Sequence, residues 1–112
     1  MNVEIFGDRD FIISVQEQDG VWVLMAGQSL YALPAEGGMD LPVWSSAEKA
    51  EVFTENLNQR ELSPVFVPMS NFLGDAWLGS STLQIVDVLA SPQYGQEPLV
   101  YTVDELRARL KT

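Results

Sequence analysis

The chain contains no cysteine and no histidine, and only six of its 112 residues are Lys or Arg. Without cysteine there is no disulfide framework, thiolate nucleophile, iron–sulfur cluster or thiolate zinc site. The absence of histidine removes the usual imidazole metal ligand, Ser-His-Asp and Cys-His catalysis, and the side chain whose unperturbed pKa lies near neutrality. No metal site and no cofactor are therefore expected. An enzyme built from this chain would run on carboxylates, Lys49, a tyrosine or a main-chain oxyanion site, so binding is favoured over catalysis and no catalytic residue is assigned. The six basic side chains face sixteen Asp and Glu, a formal charge of −10. Such a surface repels phosphates and anionic headgroups, which excludes nucleic acid and membrane as direct partners. The longest apolar stretch, Val21 to Ala26, falls far short of the ~20 residues of a membrane span. Nor does Met1-Asn2-Val3-Glu4-Ile5-Phe6 carry the cationic start of a secretory leader, which points to the cytosol.

What is present is core-forming material: 46% of the residues are hydrophobic and 20% charged, enough apolar surface to offset the ordering entropy of one globular domain over residues 1–112. Residues 8–18 have two readings. Phe11, Ile13 and Val15 alternate as in a strand, with Asp19-Gly20 as a hairpin turn; Asp8, Phe11, Ile12 and Val15 fit a helix capped by Asp8 or Asp10. Val21–Met25 reads as a buried strand paired with Ser29–Leu33 across Ala26-Gly27-Gln28, with Pro34 ending the partner. Leu41–Trp44 reads as a short edge strand because of Pro42. Ser45 and Glu48 form a capping box for a helix over 46–58, with Ala47, Ala50, Phe53 and Leu57 as its apolar stripe. Val65–Val67 is a strand bounded by prolines, and Met69, Phe72, Leu73, Ala76 and Trp77 space a second helix capped by Ser70 and stopped by Gly79. Leu83–Leu89 and Leu99–Tyr101 read as strands, and Thr102 with Glu105 caps a last helix. The fold class is α+β: a mixed or antiparallel sheet of five to six strands covered by three to four helices.

Trp22 with Leu24, Leu41-Pro42-Val43-Trp44 leading into Ala47, Glu48 and Ala50, and Phe72 with Trp77-Leu78 together resemble the bacterial family called domain of unknown function 2750, over roughly residues 11 to 110. Members tend to carry a proline directly after the second tryptophan, where this chain has Ser45 and Ser46. The resemblance implies a small α+β bacterial domain and a helix at 8–18. It implies no activity and no site residue.

Two groups of residues stand out as binding candidates. Glu48, Glu51 and Glu55 share one helix face at i, i+3 and i+7, a repulsive arrangement that suits docking of a basic protein partner. Tyr94, in the proline-bounded loop, is a second contact for such a partner. The aromatics Trp22, Tyr31, Trp44 and Trp77 form a candidate patch. The reading that follows is a protein-interaction domain of adaptor or inhibitor type, with a homodimer left open. Two alternatives stand beside it. One is a small hydrolase using Asp87 or a carboxylate of the Gly37-to-Trp44 loop; the other is an acidic nucleic-acid mimic that occupies a basic site on another protein.

Overall fold

A computed structural model describes residues 3–58, 61–93 and 98–110, with side chains from Asp10 onward. The described residues form α1 (Val3–Gln18), β1 (Gly20–Ala26), β2 (Ser29–Leu30), β3 (Leu33–Ala35), β4 (Gly38–Val43), α2 (Ala47–Leu57), β5 (Ser63–Pro68), α3 (Met69–Phe72), β6 (Ile85–Ala90), β7 (Leu99–Thr102) and α4 (Val103–Leu110). The fold is α+β. Its seven strands exceed the expected five to six and divide into two sheets, ordered β2-β1-β5 and β3-β4-β6-β7. The radius of gyration is 13.2 Å, the value of about 13 Å that one compact body of this length has.

Residues 8–18 are helical. Phe11, Ile12 and Val15 are buried at i, i+1 and i+4, so one helix face meets the core. The helix begins well before the expected Asp8 or Asp10 cap. Asp19 ends it in the left-handed region (φ 57°), with its N–H donated to Gln16 and its carbonyl accepting from Met69. The Asp-Gly pair is thus a helix C-terminus. Gly20 is required for another reason: a Cβ there would run into the Phe66 ring and the Val67 carbonyl.

β1 is buried on both faces. Val21 and Val23 join the main core with Phe11, Val15, Leu41, Phe72, Val88 and Leu106. Leu24, with Trp22 beside it, faces a second cluster containing Trp44, Ala50, Tyr31 and Phe53. Period-two alternation thus sends one strand's side chains into two cores, the main one approached by α1, α3 and α4, the second covered by α2.

The expected partner strand Ser29–Leu33 breaks after Leu30. Tyr31 N–H still donates to Leu24, but the chain then crosses to the other sheet, where Leu33–Ala35 pairs with Gly38–Asp40. Pro34 therefore sits inside a strand instead of ending one. Pro42 likewise departs from the edge reading, since β4 lies between β3 and β6. The phase of the ladders explains both. Trp22 and Trp44 exchange N–H···O bonds of 2.9 and 2.8 Å, a single bridge that joins the two sheets. In that register the next hydrogen-bonded pair would be Leu24 with Pro42. Proline has no N–H, and the Leu24 carbonyl accepts from Tyr31 instead, so the sheets part there.

The same phase governs the open edges. β5 bonds to β1 through Ser63, Val65 and Val67, so Pro64 and Pro68 turn their nitrogens outward. Pro34 does so on β3. On β7 the outward residues are Val100 and Thr102, with Pro98 one step ahead in the same phase, and Thr102 N–H is already given to Glu105. The outward prolines remove donors from the β3 and β5 edges, and on β7 the Thr102 donor is already taken.

Two helices depart from expectation. α2 starts one residue later because Ser46, not Ser45, caps it by accepting from Lys49 N–H. α3 is a single turn from Met69 to Phe72, with Pro68 at its N-cap in place of Ser70. Beyond it Gly74 accepts from Trp77 and Gly79 in successive turns. Met69, Phe72, Leu73 and Trp77 still reach the main core, while Ala76 is exposed. At α4 the Thr102–Glu105 capping box forms as expected, with both bonds at 3.1 Å, and hydrogen bonding of the Glu105 carboxylate to Thr102, its backbone N–H first, lowers the Glu105 pKa.

Candidate functional site

The outer face of α2 is positioned from below by Trp44. That side chain has no exposed surface, packs on Phe53 at 5.1 Å between ring centroids, and donates its Nε1–H to the Pro92 carbonyl at 3.0 Å. Ser91, in a left-handed conformation (φ 44°), donates its N–H to Val43 at 2.6 Å, and its Oγ accepts from Ser45 N–H. The Ser45 carbonyl accepts from Gln18, whose Oε1 accepts from Trp22 Nε1–H. One chain of contacts therefore fixes α2 and the Ser91–Gln93 segment relative to each other. Between them lies a groove of about 370 Å³ lined by Glu48, Lys49, Val52, Phe53, Asn56, Pro92 and Gln93.

At about 100° per residue, the α2 side chains follow one another around the axis as Glu51, Glu55, Glu48, Val52, Asn56, Lys49 and Phe53. All but Phe53 are exposed, and Val52 retains 55% of its surface. A carboxylate strip therefore borders an apolar spot on one flank, with Lys49 on the other. Among the described residues none of the three glutamates has a cationic partner.

The aromatic candidates occupy different places. Trp22 stacks edge-on with Phe66 (5.3 Å) and Tyr31 with Phe53 (6.0 Å); burial raises the Tyr31 pKa. Trp22 and Tyr31 are both half-buried and pack with Trp44 around the second core. Trp77 packs on Phe72 at 6.5 Å in the main core, apart from the other three. Tyr94 lies outside the described residues. Sequence reasoning passed over Val52, Asn56, Pro92 and Gln93. Val52 carried a signal, as an apolar residue among three glutamates on the polar face; Pro92 and Gln93 carried none, being distant in the chain.

A second acidic feature comes from the parallel register of β4 and β6, which pairs Asp40 with Asp87. Asp40 Oδ1 is enclosed without a hydrogen-bond partner. Burial, reinforced by the charge of Asp87, raises the Asp40 pKa above 3.8. The folded state then holds the proton more tightly than the unfolded chain does. This contribution to stability is fully present below 3.8 and is lost as pH rises through the raised folded-state value. An Asp40→Asn variant should gain roughly 2–5 °C in Tm near pH 7 and almost nothing near pH 3.5. Thermal unfolding at the two pH values checks this, and an advantage that is equal at both would refute it.

Among the described residues no group of three His, Cys, Asp or Glu could hold a metal ion, and no helix is long and apolar enough to cross a membrane. No family model matches the chain, and no curated protein matches it.

Proposed function

We propose that this chain is a cytoplasmic bacterial protein-interaction domain of adaptor or inhibitor type, related to the domain of unknown function 2750 family, that docks a basic partner protein on the outer face of α2. The observation that carries this reading is the strip of Glu48, Glu51 and Glu55, exposed and unneutralised among the described residues, beside Val52 on a firmly held helix. Unopposed carboxylates raise the encounter rate with a cationic surface, and that advantage is screened by salt. The outward prolines on the β3 and β5 edges disfavour added-strand pairing there, which leaves docking on side chains.

The test compares the parent with Glu48→Gln/Glu51→Gln/Glu55→Gln as immobilised baits in lysate at low and high salt, with retained proteins identified and re-tested in purified form. A direct partner should be lost in high salt and bind the triple variant roughly tenfold more weakly. Equal retention by the two baits refutes the reading. A carboxylate-dependent hydrolase is the second reading, supported by the Asp40–Asp87 pairing. Neither residue lines the groove beside α2. The Asp40→Asn variant distinguishes the two roles, because a catalytic pair loses turnover and a structural pair changes only stability.

A further inference from the structure

Resting on that reading, we infer that the groove between α2 and Pro92–Gln93 binds an extended segment of the partner, with an apolar side chain as anchor and a Lys or Arg close beside it. Three kinds of group converge there. Val52, Phe53 and Pro92 make an apolar floor. The amides of Asn56 and Gln93 have no partner among the described residues, which leaves donors and acceptors for a peptide backbone. Glu48 lies on the rim, with Glu55 next to it around the helix axis, ready for a cation.

The dimensions fit such an occupant. From Glu48 to Asn56 the helix advances about 12 Å, the length of three to four residues of extended chain. The carboxylate flank lies directly against Val52, so a segment that places its apolar side chain on the floor brings a neighbouring cation to Glu48, or, one step further along the chain, to Glu55 about 10 Å away along the axis. The Trp44 Nε1–H bond to Pro92 and the Ser45–Ser91 contacts hold both walls before anything binds, which limits the ordering cost of association. An added strand is disfavoured at the β3 and β5 edges by their outward prolines, and an acidic segment by Glu48, Glu51 and Glu55, which outnumber Lys49 on the outer face of α2. A second copy of this chain, at −10, is disfavoured by its overall charge.

The probe is acetyl-Arg-Leu-Arg-amide, titrated into uniformly ¹⁵N-labelled protein and compared with acetyl-Arg-Ser-Arg-amide and acetyl-Glu-Leu-Glu-amide. The first peptide should shift the amides of Val52, Phe53, Asn56 and Gln93 saturably. The serine peptide should bind about tenfold more weakly for want of an anchor, and the glutamate peptide should give no saturable shifts. Val52→Asp, at an exposed position that leaves the fold intact, should abolish the response, and Glu48→Gln/Glu55→Gln should weaken it about fivefold. Equal binding of the leucine and serine peptides, shifts that map elsewhere, or no shifts overturn the groove. A partner that still depends on the three glutamates would leave the docking face standing without the groove. Capture indifferent to the glutamates removes the docking face, whatever the peptides do.

Discussion

Replacing Trp44 with alanine is expected to cost about 3–5 kcal/mol of folding stability, which is the usual penalty for truncating a fully buried tryptophan. The side chain is wholly enclosed, so the cavity it leaves opens under α2 between Leu24, Ala50 and Phe53. A further cost comes from the Pro92 carbonyl, which loses its indole donor in a buried place. For a domain with about 5–15 kcal/mol in total, the variant will be marginal or unfolded at 37 °C. Urea denaturation followed by circular dichroism measures the effect, as a drop in midpoint with little change in slope. Trp44→Phe separates the contributions: it keeps a ring against Phe53 and loses the hydrogen bond, so its loss should be about 1–3 kcal/mol. A Trp44→Ala loss below about 1 kcal/mol would mean that the second core collapses around the gap, and the tryptophan would then not be what holds the two walls of the groove.

Gly38→Ala should be destabilising by about 3 kcal/mol or more, whereas Gly37→Ala should cost only about 1 kcal/mol. The usual expectation from glycine conformation runs the other way. Gly37 has φ +85° and open space around it, while Gly38 has no positive φ. A Cβ on Gly38, however, would overlap the carbonyl oxygen of Gln84 and lie 3.0 Å from its carbon. That carbonyl already accepts from Met39 N–H at 3.0 Å. Both sides of the clash are backbone, so no rotamer relieves it, and β4 must lift from the start of β6 where the register shifts. Thermal unfolding of the two alanine variants decides the order. If Gly37→Ala proves the more damaging, the close approach of β4 to Gln84 is not rigid.

Local chemistry was legible in the sequence wherever one element carries its own signal. The Thr102–Glu105 capping box forms between residues three apart and needs nothing from the rest of the fold. The α2 face of Glu48, Glu51 and Glu55 follows from helical spacing alone, and all three residues are exposed. Shifts of one residue were harder to read. The capping box favoured Ser45 in sequence, yet the cap fell to Ser46 because the Ser45 backbone is held by Ser91 and Gln18, 46 and 27 residues away. The helix expected through Trp77 shortened to one turn, since the stripe of Met69, Phe72 and Trp77 can reach the core from consecutive turns as well as from a helix. Asp19-Gly20 shows the same limit: both a hairpin and a helix end favour that pair, and the Phe66 ring over Gly20 has no local signature.

The candidate site divides in the same way. The carboxylate strip belongs to one helix, but the groove beside it exists only because Pro92 is drawn to Trp44 across 48 residues. Of the tryptophans that suggested a patch, Trp44 supports this groove from beneath and Trp77 belongs to the main core, since whether a large aromatic covers a core or faces a partner depends on what packs over it.

The missing cysteine and histidine, the excess of acid, the α+β class and the amphipathic faces of the helices were determined by the sequence itself, because composition and short-range periodicity need no tertiary partner. Only the tertiary structure decided that two sheets part at Pro42, that the β3 and β5 edges turn prolines outward, and that Asp40 meets Asp87. Ladder phase and strand neighbours are relations between segments far apart in the chain, which no local pattern encodes.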